Sequence, residues 1–326
     1  MRQSEGLRRL FCETRLSLDQ FIMPYFVCEG SRIKDPIDSM PDQYRFSGDA
    51  LLAELEELIE AGVGAILLFG IPAEKDSKAS SAWSAEGIIQ KSVRGIKKNF
   101  PDLVVITDVC LCAYTDHGHC GILNSSGQAE NDSTLEVLSR IALSHAEAGS
   151  DMAAPSDMMD GRVEKIRNVL DQNGFQNAAI LSYAVKYASA FYGPFRDAAH
   201  SAPASGDRKT YQMDPANAAE ALREIAQDIQ EGADMIIVKP ALAYLDIIRE
   251  ATQVFRFPLA AYSVSGEYSM IKAAAQKGWI DEKNVVLEIM TALARSGARA
   301  LITYHAKQLA QWKILDQQLF QPAAGK

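Results

Sequence analysis

What most constrains this chain is an alternation that recurs from end to end. Short runs rich in Val, Ile, Leu and aromatic residues occur at Phe21 to Val27, Ala65 to Phe69, Leu103 to Val109, Met152 to Pro155, Ala178 to Ala184, Met235 to Val238, Pro258 to Val264 and Ala300 to Tyr304. Between most of them lie segments with apolar residues at helical spacing. Examples are Ala50 to Ala61, with Leu51, Leu52, Leu55 and Leu58, and Thr134 to Ala148, for which Ser133 and Glu136 read as a capping box. Near-continuous apolar strands are buried on both faces, which calls for a parallel sheet covered by helices. Eight such units in 326 residues predict an α/β fold, a closed (β/α)8 TIM barrel. The rival is an open doubly wound sheet, but no Gly-x-Gly-x-x-Gly follows the first strand and no phosphate-loop Gly-Lys-Ser/Thr occurs.

Three stretches stand outside the repeat. Residues 1–18 precede the first strand and are expected to form a short arm that packs on another subunit, leaving residues 19–326 as the barrel domain. Residues 191–213 are long and rich in Gly, Pro and Ser, the composition of an active-site lid over the end of strand five. The connection between strands seven and eight carries two helical patterns, Glu267 to Gln276 and Asn284 to Ser296.

Composition narrows the function. Hydrophobic residues make up 48% and charged residues 23%, which excludes a disordered or collagen-like chain. No stretch approaches the length of a membrane span, and Arg2, Glu5, Arg8, Arg9 and Glu13 leave no apolar run for a secretory signal, so a cytoplasmic location is expected. A net charge of −9 argues against a nucleic-acid partner. Of five cysteines, Cys110, Cys112 and Cys120 crowd together, which in a reducing compartment points to metal or catalysis.

In Asp108-Val-Cys110-Leu-Cys112 the period of two places the carboxylate and both thiols on one face at the carboxyl end of strand three, where barrels keep their active sites. Gly118 gives the following loop freedom to bring back the thiol of Cys120. Three thiolates with an open fourth position describe a catalytic zinc; a structural zinc completed by His117 or His119, or three metal-free buried thiols, are the alternatives. Lys186 and Lys239 end strands five and six, and if both point inward they face each other across about 5 Å of sheet. Burial and like charge then lower both pKa values and free an amine for Schiff-base chemistry, unless the lysines reach solvent or pair with carboxylates. Arg196, Arg208 and Gln212, in or beside the lid, suit a substrate carboxylate, although a solvated surface accounts for them equally. Ser265 and Tyr304 are placed at the ends of strands seven and eight and offer hydroxyls at the same mouth, while His145 and His200 read as structural or solvated. Two amines, a thiolate-bound Lewis acid and carboxylate anchors suit carbonyl chemistry on small acids.

The segments Asp108 to Gly121, Ala154 to Arg162, Lys186 to Arg196, Val238-Lys-Pro240 and Val264 to Tyr268 closely resemble the porphobilinogen synthase (5-aminolevulinate dehydratase) family, zinc-binding type, over residues 8–312. The resemblance implies condensation of two 5-aminolevulinate molecules to porphobilinogen with loss of two waters, in tetrapyrrole and haem synthesis. It implies Lys239 as the lysine that forms a Schiff base with the substrate supplying the propionate side, Lys186 as the residue that holds the second molecule or binds it covalently too, and Asp108 as a proton carrier beside zinc on Cys110, Cys112 and Cys120. It assigns one substrate carboxylate to Arg196, Arg208 and Gln212 and the other to Ser265 and Tyr304. Glu224 matches a carboxylate that binds an allosteric magnesium in many bacterial and plastid members, and Gln227 stands where animal members have an arginine. Thr210 replaces a cysteine of an accessory zinc site, so no such site is expected through His119, and Asp116 stands where serine is common. A homo-octamer is usual in the family, although the arm here is short. A Schiff-base aldolase on the same barrel, and a binding module built on a structural zinc knot, are the competing functions.

Overall fold

The computed structural model describes residues 1–312, so the end of the expected barrel domain, residues 313–326, lies outside the described residues. Eight parallel strands close on themselves: one (Phe21–Cys28), two (Ala65–Ile71), three (Val104–Val109), four (Met152–Pro155), five (Ala179–Lys186), six (Met235–Lys239), seven (Leu259–Ser263) and eight (Ala300–Thr303). Closure comes from pairing of strand one with strand eight, Phe21 with Leu301 and Ile22 with Ile302. The expected (β/α)8 TIM barrel is the observed fold.

Alternation along each strand divides the core in two. Inward residues such as Leu67, Phe69, Ile106, Leu181, Ile237, Ala260 and Ile302 fill the barrel. Outward residues such as Ile66, Leu68, Val105, Ile236 and Leu301 meet the helical ring. The helix Gly48–Glu60 shows why the ring forms: Leu51, Leu55 and Leu58 recur at one-turn intervals and are all buried. Both helices expected between strands seven and eight are present, as Ser265–Gln276 and Glu282–Ser296. No helix among the described residues is long and apolar enough to cross a membrane.

Two local expectations need correction. The helix after strand three begins at Asn131 with Glu130 as its N-cap, so Ser133 and Glu136 form no capping box. A short ribbon, Ile122–Leu123 with Ala129–Glu130, delivers the chain directly into the helix; the Ser133 hydroxyl donates to Glu130, and Glu136 pairs with Lys165 at 2.5 Å. Ser265 does not end strand seven, which stops at Ser263; it opens the next helix, whose first turn is held by the Glu267 carboxylate accepting from the Val264 amide at 2.6 Å.

After strand one, residues Lys34–Pro36 and Tyr44–Ser47 form an antiparallel ribbon, and Tyr44–Ser47 adds onto strand one. Residues 190–213 contain a 3-10 turn (Ala190–Tyr192) and a short helix (Gly193–Ala198), followed by turns across the carboxyl ends of the strands. The first residues hold a six-residue helix, Glu5–Leu10, with no buried side chain.

Candidate active site

Lys186 and Lys239 are register partners at the ends of strands five and six, and both are buried, at 5% and 4% exposure. Inward placement of Lys186 depends on an irregularity. Leu181 and Tyr183 point inward, and strict alternation would send Val185 inward and Lys186 out. Ala184 and Val185 instead both face the outer layer, and the register shifts between the partners of Ile236 and Val238. This β-bulge turns Lys186 into the barrel. Its amine donates to the Ser156 carbonyl. The Lys239 amine lies over four aromatic rings, with centroids at 4.3 Å for Tyr262, 5.0 Å for Phe195 and 5.2 Å for Tyr183 and Tyr192. Burial first, and Lys186 second, bring the Lys239 amine down to about 7.

Asp108 points into the same space, and burial, followed by Cys112, pushes its carboxyl up to about 7 against the pull of Ser156 and both lysines. Strand three ends at Val109, so Cys110 and Cys112 lie beyond it, in a turn closed by the amides of Tyr114 and Thr115 donating to the Leu111 carbonyl. That turn brings the Cys110 and Cys112 sulfurs to 3.5 Å, and Cys120 returns so that all three lie within 4.8 Å of one another, buried. Cys112, Cys120 and burial hold the Cys110 thiol well above its ordinary value. Hydrogen bonds from Cys110 and Cys112, with Arg208 and Lys186 nearby, hold Cys120 well below it. Three buried sulfurs packed together, one of them held toward its thiolate, form the donor set that zinc prefers. It is the only group of three such donors among the described residues.

Neither neighbouring histidine joins that group. The Ser205 carbonyl accepts from His119 Nε2 at 2.9 Å, which leaves Nδ1 to take the Tyr211 hydroxyl at 3.1 Å, and Tyr211 in turn accepts from the Cys120 amide. Gly118 sits at φ +71°, where a Cβ would meet the Ala202 carbonyl oxygen at 2.3 Å, so only glycine lets the thiol loop and segment 190–213 lie this close. Asp116 and Thr210 are exposed.

Arg208 is buried and donates to the carbonyls of Gly118 and Ser201 at 2.9 and 2.6 Å; burial opposes its charge, but Cys120 and Cys112 outweigh it and raise its pKa. Arg196 is half-buried, its guanidinium pKa lowered by burial and then by Arg208. Two cations therefore repel each other. Beside them Gln212, 4% exposed, leaves both its amide nitrogen and its oxygen without a partner, and Arg196 Nε and Arg208 Nε are unpaired too. A carboxylate accepts from N–H groups such as Gln212 Nε2 and the two guanidinium Nε atoms, whereas the Gln212 oxygen, itself an acceptor, needs a donor.

Across the mouth, Ser265 accepts from the Phe195 amide at 3.0 Å, and the Tyr304 and Tyr262 hydroxyls stand 3.2 Å apart. Glu224 lies in the ring helix Ala219–Gln230 and lines a cleft of about 520 Å³ with Asp160, Glu220 and Gln212; burial raises its pKa, and Gln227 in the same helix bonds Glu231. His145 is buried, with burial lowering it to about 3, and so is a neutral core residue, whereas His200 is exposed.

Two features escape sequence reasoning. The rings around Lys239 come from strands five and seven and from segment 190–195, and no local spacing joins them. Glu267 is buried and accepts from the Leu242 amide at 2.7 Å as well as from Val264, bracing the turn just after Lys239. Its only sequence signal is an acid in a helix's first turn.

A closed barrel with amines, thiols and guanidiniums gathered at the carboxyl ends of its strands is a (β/α)8 enzyme whose chemistry is carried by side chains of the mouth. The sequence model of the delta-aminolevulinic acid dehydratase family matches residues 1–312. The chain is 55% identical over 312 residues to the delta-aminolevulinic acid dehydratase of Halalkalibacterium halodurans, covering 96% of this chain and 95% of the relative. It is also 55% identical to that of Bacillus subtilis, covering 96% of each. The Toxoplasma gondii enzyme, solved with its reaction product porphobilinogen, superposes with a TM-score of 0.95 at 42% identity, covering 99% of this chain and 94% of that one. This chain belongs to the delta-aminolevulinic acid dehydratase family. It is a hydro-lyase that condenses 5-aminolevulinate to porphobilinogen, a step of haem synthesis.

Proposed function

We propose that the mouth of this barrel joins two 5-aminolevulinate molecules through a Schiff base on Lys239, with zinc on Cys110, Cys112 and Cys120. The observation that carries the reading is the unequal lysine pair: one buried amine on a carbonyl, and its register partner over aromatic rings and near neutrality. Neutral Lys239 attacks the ketone of the first molecule, and the resulting carbinolamine loses one water to give the imine. The alpha carbon of the second molecule's ketone then bonds to that imine carbon, so that the first molecule supplies the propionate side, and loss of a proton from that alpha carbon expels the Lys239 amine and restores the lysine. Condensation of the first molecule's amine with the second molecule's ketone releases the second water and closes the ring, which a proton shift makes aromatic.

Each surrounding group has a defined task. Asp108, with its carboxyl near neutral pKa, takes and returns protons at the reacting carbons. Lys186, fixed by the Ser156 carbonyl, holds the second molecule. Arg196, Arg208 and Gln212 grip that molecule's carboxylate beneath a lid formed by residues 191–213, and Ser265 and Tyr304 bind the first molecule's carboxylate. Zinc, when bound, supplies Lewis acidity to the second ketone. The aromatic rings exclude water, which keeps Lys239 neutral and the imine intact.

The arm, residues 1–18, packs on a neighbouring subunit in a homo-octamer; its helix buries nothing in this chain and exposes Leu7, Leu10 and Phe11. Glu224 binds an allosteric magnesium in its acidic cleft, and the enzyme works in the cytoplasm on a small molecule. Incubation with 5-aminolevulinate and zinc, followed for the pyrrole, tests the reading, and its loss on chelation separates it from a metal-free aldolase.

A further inference from the structure

The helix that carries Arg196, Gly193–Ala198, has six residues, too few to hold its own shape in water. Its position must come from what grips its ends. At the front, Phe195 packs on Phe26 and Phe69 with ring centroids 5.6 and 5.0 Å apart. At the back, Arg45, from the ribbon that follows strand one, donates from Nε to the Ala198 carbonyl at 2.8 Å and from Nη2 to the Asp197 carbonyl at 3.0 Å. Both carbonyls stand at a helix C-terminus, where a cation is favoured, although that of Asp197 also accepts from the His200 amide at 3.2 Å. Asp35, the register partner of Arg45 across the ribbon, fixes the third nitrogen at 2.8 Å, and the Arg45 side chain is only 11% exposed. Ser39 of the same ribbon donates to the Asp197 carboxylate at 2.5 Å, while Lys75, from the loop after strand two, donates to the His200 carbonyl at 2.5 Å.

We propose that Arg45 is a positioning residue: by clasping the last carbonyls of the lid helix it fixes Arg196 over the second substrate's carboxylate. It bonds the last two carbonyls of the helix, whereas Phe195, at the front over Lys239, has its own anchors in Phe26 and Phe69, so loss of Arg45 is felt first at Arg196. The inference rests on the reading of Arg196 as a carboxylate ligand.

The test compares Arg45→Ala, Arg45→Lys, Arg196→Ala and the double variant Arg45→Ala/Arg196→Ala in the zinc-loaded enzyme, with 5-aminolevulinate varied. Arg45→Ala is expected to raise KM about ten-fold, the scale of lost charged hydrogen bonds, with kcat within about two-fold. Arg45→Lys, which keeps the charge but serves one carbonyl, should fall between it and the parent. In the Arg196→Ala background the Arg45 change should add no more than about two-fold, because both act through one guanidinium. Arg196→Ala raising KM while Arg45→Ala leaves it unchanged would overturn the inference alone. Fully additive effects, or a fall in kcat and melting temperature without a rise in KM, would overturn it too. An unchanged KM in Arg196→Ala would instead remove the underlying reading.

Discussion

Lys186 and Lys239 face each other across adjacent strands, yet only Lys186 has a hydrogen-bond acceptor, the Ser156 carbonyl, while the Lys239 amine rests over the rings of Tyr183, Tyr192, Phe195 and Tyr262. The acceptor fixes one amine in place; burial first, and the neighbouring Lys186 second, leave the other ready to lose its proton.

Lys239 is therefore the residue expected to be trapped when borohydride is added with 5-aminolevulinate. Peptide mapping should find the label there, and label confined to Lys186 would reverse the assignment. Lys239→Arg should cost roughly four orders of magnitude in turnover, as loss of a nucleophile does. Because the amine must be neutral to attack and its pKa is lowered to about 7, kcat/KM should rise with pH through about 7 and level off above.

Cys120→Ala should lower zinc affinity and activity together. Two sulfurs, Cys110 and Cys112, remain at 3.5 Å, but a tetrahedral ion loses a third of its protein ligands. The barrel strands pair without the thiols, so circular dichroism and the melting curve of chelated wild type should remain those of a folded protein. Unfolding on chelation would mark the metal as structural.

Arg208→Lys should reduce kcat/KM by about 10- to 100-fold, since an ammonium cannot hold Gly118 and Ser201 and also present a fork to a carboxylate. Steady-state kinetics should show the loss mainly as a raised KM for the weakly held second substrate. Parent-like kinetics would return Arg208 to a purely structural role.

Magnesium should raise both activity and apparent mass, and Glu224→Ala should abolish the response while zinc binding persists. The carboxylate lies in an acidic cleft with Asp160 and Glu220, and a hydrated Mg²⁺ needs few protein ligands. Sedimentation alongside rate measurements, with and without magnesium, checks this. A response surviving Glu224→Ala would place the ion elsewhere.

The sequence by itself determined what depends on local repetition. Apolar strands alternating with helices such as Gly48–Glu60 have one economical way to bury both faces, and the order Phe21–Cys28 through Ala300–Thr303 follows from it. The residue types of the mouth were legible too, because Lys186, Lys239 and Asp108 stand at strand ends where barrels place chemistry. Direction and partnership were decided only in three dimensions. A period of two points Lys186 outward, and the bulge that turns it inward arises from pairing with strand six. The helix start at Asn131 and the place of Ser265 followed ribbon and turn contacts that outweighed the capping pattern. The thiol cluster needed the turn at Leu111 and the close approach of Gly118 to Ala202. Arg45 reaches the lid helix across 153 residues of chain, as only a closed barrel brings the loops after strands one and five to one rim. Periodicity is set by neighbours along the chain; which face a side chain meets, and what it finds there, is set by long-range packing.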